Sequence, residues 1–180
     1  NGVKETDKCN PKSIYGSNKL ASEYIIKNHS SHNKINYTIL RLFNVYGVNQ
    51  RLGNLEQDMI RIFITQIFNN RKLLIRGSRY RTRDFININD VVKILQNIIA
   101  NKNFYNQTLN IGTGIKTSIH ELVKILKEVC PFKFSVKYKG KTLGDQFKIH
   151  ANINKLKKLI SFTPKKDLKL TLKKIIDENS

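Results

Sequence analysis

Apolar positions along this chain come in short bursts, and their spacing alternates between the helical period and a continuous run. Over residues 15–32 the segment YGSNKLASEYIIKNHSSH puts Leu20, Tyr24 and Ile25 on one side. That spacing predicts a helix, ended by the polar stretch from Ser30 to Asn36. Residues 37–43 form a mostly apolar run, the pattern of a strand covered on both faces in a parallel sheet. A helix followed by such a strand is the second half of a βαβ unit.

Farther along, residues 49–54 read as a loop, and 56–69 read as a helix carrying Met59, Ile60, Phe63, Ile64 and Ile67. Residues 73–75 and 83–88 are predicted strands around the basic turn RGSRYRTR. Asn89 and Asp90 are the expected N-cap of a helix reaching about residue 100. A strand over 108–111, the loop GTGIKT and a capping pair, Ser118 with Glu121, open a helix to Val129. Short strands are predicted over 134–138 and 147–150, and Lys-rich helices over 154–159 and 168–177. Helices and strands alternate in order, which makes the class α/β.

Composition supports a folded chain. A hydrophobic fraction of 39% can build a core and excludes a disordered chain. No apolar run approaches the roughly 20 residues that cross a bilayer. Cys9 and Cys130 make no metal framework or disulfide scaffold, and suit a reducing compartment. The charge is high, with 33 Lys+Arg against 13 Asp+Glu for a formal +20. Such a balance raises the class of basic nucleic-acid or anion-binding module. However, the bases are 25 Lys and 8 Arg spread along the whole chain, rising together with 21 Asn and 24 Ile. That joint rise is the mark of an A/T-rich coding bias, so nucleic acid is not the favoured partner.

Candidate chemistry begins with Tyr15 and Lys19. Residues four apart on a helix share a face, and an ammonium beside a phenol stabilises the phenolate and suits it to acid/base work. With seven Tyr and 25 Lys, one such spacing is commonplace, so the pair carries weight only in context. That context is the ordered series PKSIYGSNKLASE, RLFNVYG, RDFININDVV and LNIGTG. Phe43 and Asn44 end the predicted strand, where ligands of open α/β sheets bind. Arg83 offers paired, permanently charged donors suited to phosphate. Asp84 reads as a partner for backbone donors or an Arg. Gly112 and Gly114 read as turn residues, since the third glycine of a dinucleotide fingerprint is replaced by Thr117.

Taken together, the four motifs resemble the C-terminal part of the extended short-chain dehydrogenase/reductases, the sugar-nucleotide epimerases and dehydratases. The resemblance implies a Rossmann-like, doubly wound parallel sheet joined to a small α/β substrate domain. It implies NAD as cofactor and a nucleotide sugar as substrate. It gives Tyr15 the proton exchange with a sugar hydroxyl, and Lys19 the nicotinamide ribose and support of the Tyr15 phenolate. Phe43 lies near the nicotinamide, while Asn44 and Arg83 hold the substrate diphosphate. Gly144-Asp145 resembles a P-G-D element whose Asp bonds the nucleotide ribose, although Thr142-Leu143 replaces the usual Arg-Pro. Asn18 stands where many relatives have Ser.

By the same resemblance, residues 1–50 are the remainder of the NAD-binding domain and 51–180 the substrate domain, with about 85–115 packing back on the first. A cytoplasmic homodimer serving polysaccharide precursors is implied. The rival activities are 4,6-dehydratase and reductase. No G-x-x-G-x-x-G occurs in the 180 residues to seat a pyrophosphate on a helix N-terminus, and no upstream Ser/Thr fits the family's hydroxyl contact. The expectation is therefore a fragment lacking the N-terminal nucleotide-binding half and inactive alone, with a catalytically dead scaffold as a further rival.

Overall fold

The computed structural model describes residues 2–48, 58–99, 101–140, 146–165 and 167–179. Helix α1 (Ile14–Asn33) begins at Ser13, whose hydroxyl accepts the Gly16 N–H at 3.1 Å. It stops at Lys34, which turns left-handed with φ 54° and returns its N–H to the Ser30 carbonyl. No α1 residue is fully buried. Its partly covered positions are Gly16, Leu20, Glu23, Lys27 and Ser30, a helical face that is mostly polar. The predicted apolar face is corrected accordingly, since Tyr24 and Ile25 point to solvent at 61% and 67% exposure.

The apolar run after α1 forms one strand, and a second strand follows directly beyond it. β1 (Thr38–Leu42) pairs in parallel with a later strand, β6 (Gln107–Ile111), Leu40 opposite Leu109. At Phe43 the chain changes partner. The Phe43 N–H still bonds the Ile111 carbonyl at 2.9 Å, but Asn44 N–H bonds the Asp84 carbonyl at 3.0 Å. β2 (Asn44–Tyr46) then runs parallel to β5 (Phe85–Asn87). A continuous apolar run carries no mark of such an exchange. Nor is β1 covered on both faces among the described residues: Ile39 alone is buried, and Leu42 is exposed.

Helix α2 (Met59–Asn70) is capped by Asp58, which accepts the Arg61 N–H at 3.0 Å. The predicted loop over 49–54 and the first residues of the predicted helix lie outside the described residues. Ile60, Phe63, Ile64 and Ile67 recur at helical spacing and are buried. β3 (Lys72–Arg76) follows and pairs in parallel with β8 (Ser135–Lys139), burying Leu73 and Ile75 on one face.

The predicted strand over 83–88 is broken at Asp84 into β4 (Thr82–Arg83) and β5. α3 (Ile88–Ile99) starts two residues earlier than an N-cap at Asn89 would place it. The Asn87 side chain, rather than Asn89 or Asp90, accepts the Asn89 N–H at 2.9 Å. β7 (Thr117–Ser118) is antiparallel to β4, and Ser118 caps α4 (Ile119–Val129) by accepting the Glu121 N–H at 3.0 Å. Residues 147–150 make no strand. Lys148 forms an isolated bridge with Thr82, because the two-residue β4 offers no longer edge to pair with. α5 (Asn154–Leu159) and α6 (Leu168–Asp177) complete the order.

Two apolar clusters hold these elements. One joins α2, β3, α4 and α6 around Tyr46 and Phe85, whose rings meet edge-to-face at 6.4 Å. The other packs α3 and α5 on β6 through Ile94, Leu109, Ile111 and Leu156. Each large buried side chain contributes roughly 1.5–3 kcal/mol. Their seam runs beside the Phe43–Asn44 partner exchange.

Candidate active site

A cleft with a volume of about 950 Å³ opens at that exchange. Lys19 of α1, Phe43 and Asn44 all line it, so residues read from two separate motifs converge. Tyr15 is not among its lining residues and is 72% exposed. The Lys19 ammonium lies 5.5 Å from the centre of the Tyr15 ring, as residues one helical turn apart should.

Arg83 is reached from the far side. Its guanidinium is buried, with Nη1 donating to the Thr82 and Gln146 carbonyls at 2.8 Å each. Gln146 itself lines the cleft, so Arg83 braces one wall from behind. Asp145 lies outside the described residues.

The cleft is basic. Lys8, Lys12, Lys19, Arg41 and Lys148 line it, against Asp7 and Glu23. Glu23 is taken up by Arg41: Nε to Oε1 at 2.8 Å and Nη2 to Oε2 at 2.7 Å, a paired guanidinium–carboxylate contact. That hydrogen bonding holds the Glu23 carboxyl below its usual range and raises Arg41, against the opposing effect of burial. Asp7 accepts the Lys4 N–H at 2.8 Å. The remaining cations favour an anionic occupant.

Behind the site, Asp84 is completely buried and makes the contacts expected of a structural carboxylate. It accepts from Thr113 N, Thr113 Oγ1, Gly114 N and Ala151 N. Gly112 is required by this packing: a Cβ there would lie 2.7 Å from Asp84 Oδ2 and 2.8 Å from the Ala151 Cβ. Gly114 adopts φ +76°, the left-handed turn conformation.

Two residues that the motifs did not single out belong to the site, Glu23 and Arg41. The signal was present, since Glu23 lies one turn beyond Lys19 and Arg41 two positions before Phe43. Among the described residues no group of three or more His, Cys, Asp or Glu is placed to hold a metal. Among them, too, no helix is long and apolar enough to cross a membrane.

Residues 2–112 match the model of the NAD dependent epimerase/dehydratase family. A Methanocaldococcus jannaschii protein, provisionally named UDP-glucose 4-epimerase, is 36% identical over 97% of this chain and 56% of its own length. A solved UDP-glucose 4-epimerase from Thermotoga maritima, with UDP-glucose, is 30% identical with a TM-score of 0.87, over 97% of this chain and 56% of its own. A solved UDP-glucuronic acid 4-epimerase from Bacillus cereus, with UDP-glucuronic acid and NAD, is 26% identical with a TM-score of 0.89, covering 100% of this chain and 57% of its own. The chain thus spans a little over half the length of these relatives.

Proposed function

The chain belongs to the NAD dependent epimerase/dehydratase family, and from that premise we propose that it carries the reacting pair and diphosphate contacts of a nucleotide-sugar 4-epimerase. The observation that carries this reading is the convergence of Lys19, Phe43 and Asn44 on one basic cleft, with Tyr15 one turn from Lys19. The nicotinamide end of NAD fits these residues, as an ammonium and an aromatic side chain line the same cleft. When bound, NAD supplies a hydride acceptor that becomes the donor again, so net redox is zero.

The chain's own residues do the rest. Tyr15 takes the proton of a sugar hydroxyl as the substrate becomes a transient keto-sugar, then returns it. Lys19 favours the phenolate form while that proton is away. Asn44 and Arg83 hold the diphosphate, and Asp145 the ribose of the nucleotide. The division near residue 50, with 85–115 joined to the first part, is supported by the β1–β6 pairing. A homodimer through the exposed outer face of α1, and a cytoplasmic setting, are part of the same reading. The 180 residues alone are proposed to lack NAD-dependent turnover, as they include no G-x-x-G-x-x-G turn.

Titration of UDP-glucose into the isotope-labelled chain tests this reading. Resonances of Lys19, Phe43, Asn44 and Arg83 should shift together and saturate. Arg83→Lys should weaken that binding by about tenfold, the loss of one charge-assisted hydrogen bond. A chain whose cleft resonances ignore millimolar UDP-glucose does not have this function. Cofactor-dependent epimerisation by the chain alone would overturn the turnover claim separately.

A further inference from the structure

α1 carries the residues proposed to react, yet its seat is unlike that of the other long helices. α2, α4 and α6 each bury an apolar stripe, whereas α1 buries no residue and its covered face includes Glu23 and Lys27. Apolar contact therefore does little to fix how α1 is rotated about its axis. The Glu23–Arg41 pair is positioned to do so. Its side chains are only 15% and 23% exposed, and both carboxylate oxygens are engaged by two nitrogens of one planar guanidinium. A two-point contact sets direction as well as distance.

Arg41 is itself held in place. Its remaining terminal nitrogen, Nη1, donates to the Glu5 carbonyl at 3.1 Å, and the Glu5 carboxylate accepts the Asn110 N–H at 2.9 Å. Asn110 lies opposite Arg41 in the β1–β6 register. The side chain of Asn110 adds a bond to the Val3 carbonyl at 2.8 Å. A continuous polar link thus runs from β6 through the N-terminal segment and β1 to α1.

We propose that Arg41 and Glu23 are positioning residues for Lys19 and Tyr15, fixing the rotation of α1 so that the ammonium faces the cleft. Glu23, Lys19 and Tyr15 follow one another at single-turn intervals, so a turn of the helix that releases Glu23 moves the other two with it. The inference rests on the proposed role of Tyr15 and Lys19, while the link itself is independent of that role.

The test uses the full chain with Arg41→Ala and the charge-exchanged pair E23R/R41E. Amide hydrogen exchange should accelerate in α1 by about tenfold or more in Arg41→Ala, with α2 and α4 unchanged. The exchanged pair should recover at least half of that change on a logarithmic scale. On UDP-glucose addition, the Lys19 ε-amine, read by 13C-methyl labelling, should respond in the native chain and lose its response in Arg41→Ala. Asn44 should continue to respond in both.

Unchanged α1 exchange, equal acceleration in every helix, or absence of recovery in the exchanged pair overturns the proposal. So does an Arg41→Ala chain in which Asn44 falls silent with Lys19, since Arg41 would then be a direct ligand contact. If the native chain does not respond to UDP-glucose at all, the proposed function fails, and the exchange measurement alone decides whether the pair orients α1.

Discussion

Asp84 Oδ1 accepts both the backbone N–H of Thr113, at 2.9 Å, and the Thr113 hydroxyl, at 2.6 Å. Its other oxygen takes Gly114 N at 2.9 Å and Ala151 N at 3.0 Å. One buried carboxylate therefore ties β4–β5, the turn after β6 and the segment before α5, immediately behind Arg83. Asp84→Asn keeps the shape but turns an NH2 group toward donors. Unfolding in urea should show a loss of about 3 kcal/mol, the scale of breaking a buried, charge-assisted hydrogen-bond cluster. A loss below about 1 kcal/mol would mean that these bonds are dispensable.

Helix C-termini offer a paired test. Lys34 and Arg71 both end their helices at positive φ, 54° and 49°, where glycine has no Cβ penalty. Lys34→Gly should stabilise the chain by about 0.5–1 kcal/mol. Arg71 differs because its guanidinium stacks 3.1 Å from the centre of the Phe132 ring. Losing that contact costs about 0.5–1 kcal/mol, so Arg71→Gly should show no net gain in thermal midpoint. Equal gains in both would leave the stacking contact without energetic weight.

What the sequence disclosed follows from which interactions are local. α2 and α4 were legible because Ile60, Phe63, Ile64, Ile67 and Ile119, Leu122, Val123, Leu126 recur at helical spacing, and Ser118 caps locally. The run over 37–43 was legible as a parallel-sheet strand, but the second strand beyond it was not, because the exchange at Phe43 depends on Ile111 and Asp84, distant in the chain. Leu20, Tyr24 and Ile25 looked like a core face. The helix instead turns Glu23 inward, because the Arg41 guanidinium waits there. Residues 147–150 alternate like a strand, and alternation cannot reveal that the available partner is two residues long. Lys19, Phe43 and Asn44, which belong to two motifs far apart in the chain, line one cleft. Arg83, expected to hold the substrate diphosphate, donates to the Thr82 and Gln146 carbonyls, and no local pattern announces the second of these.

The two cysteines should report on the cleft. Cys9 is exposed and lines it, whereas Cys130 is half-buried and its thiol is pushed up to about 11 by burial, against a smaller opposing effect from Arg71. Alkylation at pH 8 followed by mass spectrometry should modify Cys9 first, with Cys130 slower by about tenfold or more for want of thiolate. UDP-glucose should slow Cys9 and leave Cys130 unchanged. Protection of both, or of neither, would separate the proposed nucleotide-sugar site from this cleft.

His150 lies in the segment before α5, its carbonyl accepting the Val3 N–H at 2.9 Å. Its pKa is lowered from the ordinary histidine value of 6.5, chiefly by burial and then by the nearby Lys116 ammonium, with Asp84 acting in the opposite direction. A base that is harder to protonate when folded binds fewer protons in the native state than in the unfolded one. Its contribution to stability is therefore present above about pH 6.5, is lost as pH falls toward the folded-state pKa, and levels off below it. The residue is half-buried and still reached by solvent, so screening keeps the effect small. His150→Gln retains the backbone bond to Val3 and removes the titration. Thermal midpoints at pH 7.5 and pH 5.5 should differ less in His150→Gln than in the parent chain. An equal drop in both would assign the acid sensitivity to other groups and show that burial of this imidazole does not cost the fold its protonated form.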